Sequence, residues 1–145
     1  MRHWLGFAAV TMVAFVLSGA DAPKAATYVG HDKVATALQK GGPLVNAPDL
    51  LVSGSHRDKA GQVEVHDKET DVIYMVEGEA TFVTGGTGVD MKSNRPGQWL
   101  GSDIKGGETH HLTKGDVIVV PAGVPHWFKE VPNSVSYYVV KVLKP

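Results

Sequence analysis

Gly115-Asp116-Val117-Ile118-Val119-Val120-Pro121-Ala122-Gly123-Val124-Pro125-His126-Trp127-Phe128 decides how this chain is read. A Lys114-Gly115-Asp116 turn leads into four β-branched residues, which predict a buried strand. Pro121 and Gly123 then reverse the chain, and His126 opens the next strand. The same rhythm holds outward from this stretch. Gln62 to His66 alternate, with Val63 and Val65 on one face and Glu64 and His66 on the other. Asp71 to Val76 predict an apolar strand, Glu77-Gly78-Glu79 a hairpin and Ala80 to Thr84 its return. Ser134 to Leu143 close the chain as a last strand.

Other segments carry different signals. Val34, Ala37 and Leu38 share a face over His31 to Lys40, which predicts a short helix with Asp32 as N-cap and Gly41-Gly42-Pro43 as its stop. Leu44-Val45 and Leu50 to Ser53 predict strands, Ser55 to Gly61 a charged turn region, and Asp67 to Thr70 a polar turn. Residues 85–108 are glycine-rich and nearly patternless apart from Trp99-Leu100. A loop of that length is functional or mobile in most compact domains. Trp99 is then either a lid over a barrel mouth or packing on the outside of the sheet. Leu112 predicts that His110 turns inward and His111 outward.

Composition narrows the function classes. A chain of 145 residues with 43% hydrophobic and 20% charged residues suits one folded domain. A net charge of −1, without a long run of either sign, points away from nucleic acid and anionic membranes. Arg2-His3, the apolar stretch Trp4 to Leu17 and then Ser18-Gly19-Ala20 have the order of a secretory signal, cut near Ala20. The stretch is short for a membrane span of about 20 residues, so a periplasmic or secreted protein without stable membrane insertion is expected. The chain has no cysteine, which excludes disulfides, thiolate zinc sites and thiol catalysis. Any metal must be held by His, Asp and Glu, a donor set suited to Fe, Mn, Zn, Ni or Cu.

The spacing Gly115-x5-Pro121-x-Gly123-x2-His126 resembles the second sequence motif of the cupin superfamily. The resemblance, over residues 62–143, implies an all-β fold, a double-stranded β-helix or jelly-roll barrel, to which the helix expected at residues 31–40 adds a short N-terminal element. Residues 21–43 would be tether and helix, and 44–145 the barrel. It also implies that His126 points inward and binds a metal. The family's first motif is in outline His-x-His, three or four residues, Glu, six residues, Gly. Here Gly78 fixes the frame, and Asp71 stands where the family has Glu.

Two registers compete for the histidine pair: Glu64-x-His66 or His66-x-Lys68. Charge favours the first, because an ammonium beside a metal is repelled. The implied metal set is therefore Glu64, His66, Asp71 and His126. His66, Asp71 and His126 alone would make the two-histidine, one-carboxylate arrangement of non-haem Fe(II) sites, leaving Glu64 as fourth ligand or general base. Glu130, where the family has asparagine, is a second candidate for moving a proton. Arg57 could pair with a substrate carboxylate or with a surface acid.

The expected function is binding of one divalent metal and action on a small oxygenated molecule, as dioxygenase, isomerase or lyase. The alternative is a non-enzymatic periplasmic module that binds or senses a small ligand. The fold does not choose between them. A homodimer through β-strands is the partner the family implies.

Overall fold

The computed structural model describes residues 25–144. The expected signal segment and the start of the tether lie outside them. α1 (His31–Lys40) precedes β1 (Gly42–Asn46), β2 (Leu50–Arg57), β3 (Val63–His66), β4 (Glu69–Glu77) and β5 (Glu79–Thr84). Four short strands follow: β6 (Thr87–Val89), β7 (Lys92–Arg95), β8 (Gln98–Gly101) and β9 (Asp103–Lys105). β10 (Glu108–Thr113), β11 (Val117–Val120), β12 (His126–Glu130) and β13 (Val135–Leu143) complete the chain. One sheet runs β1-β2-β13-β4-β11, the facing sheet β10-β5-β12-β3-β8-β7, and β6-β9 form a separate ribbon. All strand pairs are antiparallel.

Period-2 alternation sorts each long strand into an inner and an outer face. Ile73 and Met75 on β4, Ala80 and Phe82 on β5, Phe128 on β12, and Val135, Tyr137 and Val139 on β13 form the buried core. Phe128 sits between Phe82, edge-on at 4.7 Å, and Tyr137, stacked at 4.8 Å. Further along the same inner faces the residues become polar, and His66, Asp71 and His126 are buried. The barrel thus has an apolar end and a polar end.

The helix packs on the outside of the five-stranded sheet. Gly54 makes this contact possible, since a Cβ there would lie 2.7 Å from the Ala37 carbonyl carbon. The Ser136 hydroxyl donates to the Leu38 carbonyl at 2.8 Å and ties α1 to β13. The N-cap differs from expectation. Gly30 takes the position without a side-chain bond, and Asp32 lies in the first turn, where its charge favours the helix dipole.

Three sequence expectations are corrected. The Val117–Val120 run is not buried on both faces: β11 is a sheet edge, and Val117 and Val119 are exposed while Val120 is buried. Ser55 to Arg57 continue β2 instead of turning, because Ser53, Ser55 and Arg57 face the polar end, where apolar alternation is absent. Residues 85–108 are not a loop but contain β6 to β9. Their pattern was invisible because β7 is exposed throughout and needs no apolar face.

Candidate metal centre

Three strands supply the candidate ligands of the polar end. Glu64 and His66 are alternate residues of β3 and share its inner face. His126, the first residue of β12, stands directly across from Glu64 in the ladder. Asp71 enters from β4 in the opposite sheet. The turn before His126 is locked to the site. Gly123 adopts φ 83, a left-handed conformation that only glycine holds without strain, and its N–H donates to the His66 carbonyl at 2.7 Å.

The donors converge. One atom each of Glu64, His66 and His126 lie within 4.8 Å of one another. Glu64 Oε2 is 3.4 Å from His66 Nε2, and Asp71 Oδ2 is 3.5 Å from His66 Nε2 and 3.7 Å from His126 Nε2. Donors held at about 2.1 Å by a tetrahedral ion sit about 3.4 Å apart. These distances lie near that value, and Glu64, His66 and His126 are a group that could hold a divalent cation.

The hydrogen-bond roles fit as well. His126 Nδ1 lies 3.2 Å from the Val124 carbonyl, which can only accept, so Nδ1 carries the hydrogen and Nε2 keeps its lone pair. Burial lowers the His126 pKa, outweighing the Val124 bond and the nearby carboxylates, and favours the neutral, metal-binding form. His66 Nδ1 is buried without a hydrogen bond, 3.4 Å from Glu69 Oε2. A carboxylate there is suited to orient a histidine whose other nitrogen binds an ion.

His66 itself behaves differently. Burial and the Lys141 charge work against its charged form, but hydrogen bonds to Asp71 and Glu64 raise its pKa to about 9. Burial also works to raise the Glu64 pKa, yet the His66 bond and the charges of His126, His66 and Arg57 hold it below the usual carboxylate range. Glu64 is suspended between long contacts: Arg57 Nη2 at 3.5 Å, His66 at 3.4 Å and Gln98 Nε2 at 3.5 Å.

Lys141 is the residue that sequence reading missed. It lies opposite Asp71 in the β13–β4 ladder. Its Nζ is 2.8 and 3.0 Å from the two Asp71 oxygens, 3.0 Å from Glu69 Oε2 and 3.0 Å from His66 Nε2. The available signal was parity. Lys141 falls on the same alternation as inward-facing Tyr137 and Val139 in an otherwise apolar strand. Glu69 was hidden in an expected turn but begins β4, on the parity of Asp71. His66, Glu69 and Asp71 form a second donor cluster, and Lys141 already supplies it with a cation.

A cavity of about 180 Å³ opens beside Glu64, Asp71 and His126, with Arg57, Tyr137 and Lys141 around it. Glu130 is not brought to it. A bulge between Phe128 and Glu130 pairs Glu130 with outward-facing Thr81, whose hydroxyl donates to Glu130 Oε2 at 3.0 Å. Lys68 is exposed in the turn between β3 and β4, apart from the donors. His110 turns inward and its Nε2 meets the Thr84 hydroxyl at 2.9 Å, while His111 is exposed. Of the two alternatives for Trp99, the structure has packing on the outside of the sheet. Trp99 pairs with Val65, on the face opposite Glu64 and His66, and donates from Nε1 to Asp67 Oδ1 at 3.0 Å.

The sequence matches the cupin family over residues 53–145, more than half of the chain. This chain belongs to the cupin family. No curated protein matches it. A Bacillus halodurans protein of known structure shares the fold at 14% identity and a TM-score of 0.52, over 71% of this chain and 69% of its own. The cupin domain of Schizosaccharomyces pombe Cnp3 does so at 13% identity and a TM-score of 0.52, over 71% of this chain and 59% of its own. An RmlC-like cupin from Methanocaldococcus jannaschii with a double-stranded β-helix fold is 16% identical, with a TM-score of 0.48, over 70% of this chain and 76% of its own. At these identities the likeness concerns the fold alone. The function of this cupin has to be argued from its own polar end.

Proposed function

We propose that this cupin is exported under a signal in residues 1–20, and that its barrel holds one divalent metal for a small oxygenated molecule to meet. Glu64, His66 and His126 would hold the ion, with Asp71 beside it. The observation that carries this reading is the convergence of those three donors, two of which, Glu64 and His126, line a cavity, with the His126 Nε2 lone pair left free by the Val124 carbonyl. A bound ion would supply Lewis-acid polarisation of a ligand oxygen. The chain supplies the rest. Glu69 would orient His66 from its Nδ1 side, Lys141 holds Asp71 in place, and Ile73, Phe128 and Val139 give the cavity an apolar wall.

The test is elemental analysis of protein recovered from the export compartment without chelator. One divalent ion per chain is expected, and His126→Ala should strip it while the barrel's circular dichroism is retained. Wild-type protein that carries no metal and takes up none would favour the second reading, a ligand-binding module without metal. One observation supports that alternative: Lys141 already gives Asp71 and Glu69 a cationic partner.

A further inference from the structure

We propose that the ligand of this cavity is a small carboxylate, and that Arg57 is the residue that binds its carboxylate group. The inference rests on the metal reading above and names the class of molecule.

Arg57 ends β2 on the parity of Ser53 and Ser55, so its side chain enters the cavity with theirs. Three contacts fix the guanidinium. Its Nε donates to the Tyr137 hydroxyl at 2.9 Å, and its Cζ lies 5.2 Å from the centre of the Phe128 ring. On the third side Gly61 leaves room for Nη1, where a Cβ would stand 2.7 Å away. A long side chain loses much freedom in such a seat, and that cost is already met before a ligand arrives. Yet Glu64 does not saturate the fork. Oε1 stays 3.5 Å from Nη2, against about 2.7–2.9 Å for a formed charge-assisted bond.

Charge gives the second argument. With a divalent ion at Glu64, His66 and His126, both histidines are neutral and Glu64 turns its charge to the ion. Lys141 stays with Asp71 and Glu69 and gives up His66 Nε2, 3.0 Å from its Nζ, to the ion. The ion, Arg57 and Lys141 then outweigh the three carboxylates by at least one positive charge, and the half-exposed Arg95, 3.4 Å from Glu69, adds to the excess. In a partly enclosed site that excess is relieved by a monoanion. Guanidinium matches carboxylate in planarity and in the spacing of its donors. Ser55, two residues from Arg57 on the same strand face, adds a hydroxyl to the cavity wall that suits an oxygen next to that carboxylate, so hydroxy acids fit better than fatty acids. A volume of about 180 Å³ holds a molecule of only a few carbons.

The probes are glycolate and glycolamide, matched in shape and differing in charge, titrated calorimetrically into zinc-loaded protein. Wild type should prefer glycolate by tenfold or more. Arg57→Gln should lose most of that preference while still binding one zinc, and Arg57→Lys should keep part of it. Zinc stoichiometry and melting temperature check that each variant is folded; if Arg57→Gln is not, Arg57→Lys decides alone by a lowered ratio. An unchanged glycolate-to-glycolamide ratio in the folded variant, or no glycolate binding by zinc-loaded wild type, overturns this inference alone. Failure of wild type to bind zinc overturns the metal reading and this inference with it.

Discussion

Glu64 lies 3.4 Å from His66 and 3.5 Å from both Arg57 and Gln98, and makes no short bond with any of them. A carboxylate so placed is stabilised as an anion without being committed to one partner. Glu64→Gln removes that charge. Outer partners of metal sites are already worth about 10–100-fold in affinity, so loss of a ligand should weaken zinc binding by at least about tenfold. Lys68→Met, in the exposed turn, should change it less than about twofold on the same scale. Competitive zinc titration against a chromogenic chelator reads both. The reverse ranking would return the site to the register through Lys68. Lys141 makes a different prediction. Removing one partner of a buried ion pair costs about 3–5 kcal/mol, so metal-free Lys141→Met should melt well below wild type. Added zinc should restore much of the loss, since Asp71 and Glu69 then meet another cation. Thermal melts with and without zinc test this; a melting temperature equal to wild type in metal-free protein would mean that Lys141 holds nothing.

At the scale of elements, the site depends on strand parity and on where parity breaks. The bulge in β12 leaves His126 and Phe128 inside and turns Glu130 out to Thr81. Glu130→Gln should therefore leave zinc affinity and ligand affinity unchanged within about twofold, as for a surface residue away from the site. β8 brings Trp99 to the outer face beside Val65, so Trp99 stabilises the sheet and covers no opening. Trp99→Ala should lower stability by about 1–2 kcal/mol, from a lost hydrogen bond and some lost apolar contact, with zinc binding intact. Chemical denaturation and zinc titration of the same variant separate the two roles. A variant of normal stability that has lost ligand binding would bring back the lid.

For the whole molecule, the polar end makes stability depend on pH in a definite sense. His66, raised to about 9, adds stability to metal-free protein that is complete below 6.5 and is lost as pH rises through 9. His126 is lowered, so stability falls as pH drops below 6.5 and the unfolded chain takes up a proton that the folded one refuses. Glu64, Glu69 and Asp71, where burial is outweighed by His66, Lys141 and other neighbouring charges, are lowered too. They add stability above the ordinary carboxylate range that is lost at more acid pH. Chelator-treated protein should be most stable near pH 6.5, with the melting temperature declining on both sides. Saturating zinc should flatten the alkaline decline, because an ion takes the place of the His66 proton. A metal-free profile that rises steadily to pH 9 would contradict the protonated His66.

The sequence alone was enough for the family, the alternation of strands and the inward pair Glu64 and His66, because those follow from local rules. Glycine and proline set turns, and a period of two assigns faces. Charge alone also favoured Glu64 over Lys68; in the structure Glu64 lies within 4.8 Å of donor atoms of His66 and His126, and Lys68 is exposed in the turn. Tertiary structure decided what local rules do not reach. Lys141 lies 70 residues from Asp71 in sequence yet beside it in space. The Phe128–Glu130 bulge arises from pairing with β5, and the strands of residues 85–108 exist only because neighbours supply their hydrogen bonds. A periodicity records which way a side chain points. Only the packed barrel determines which charge it meets there.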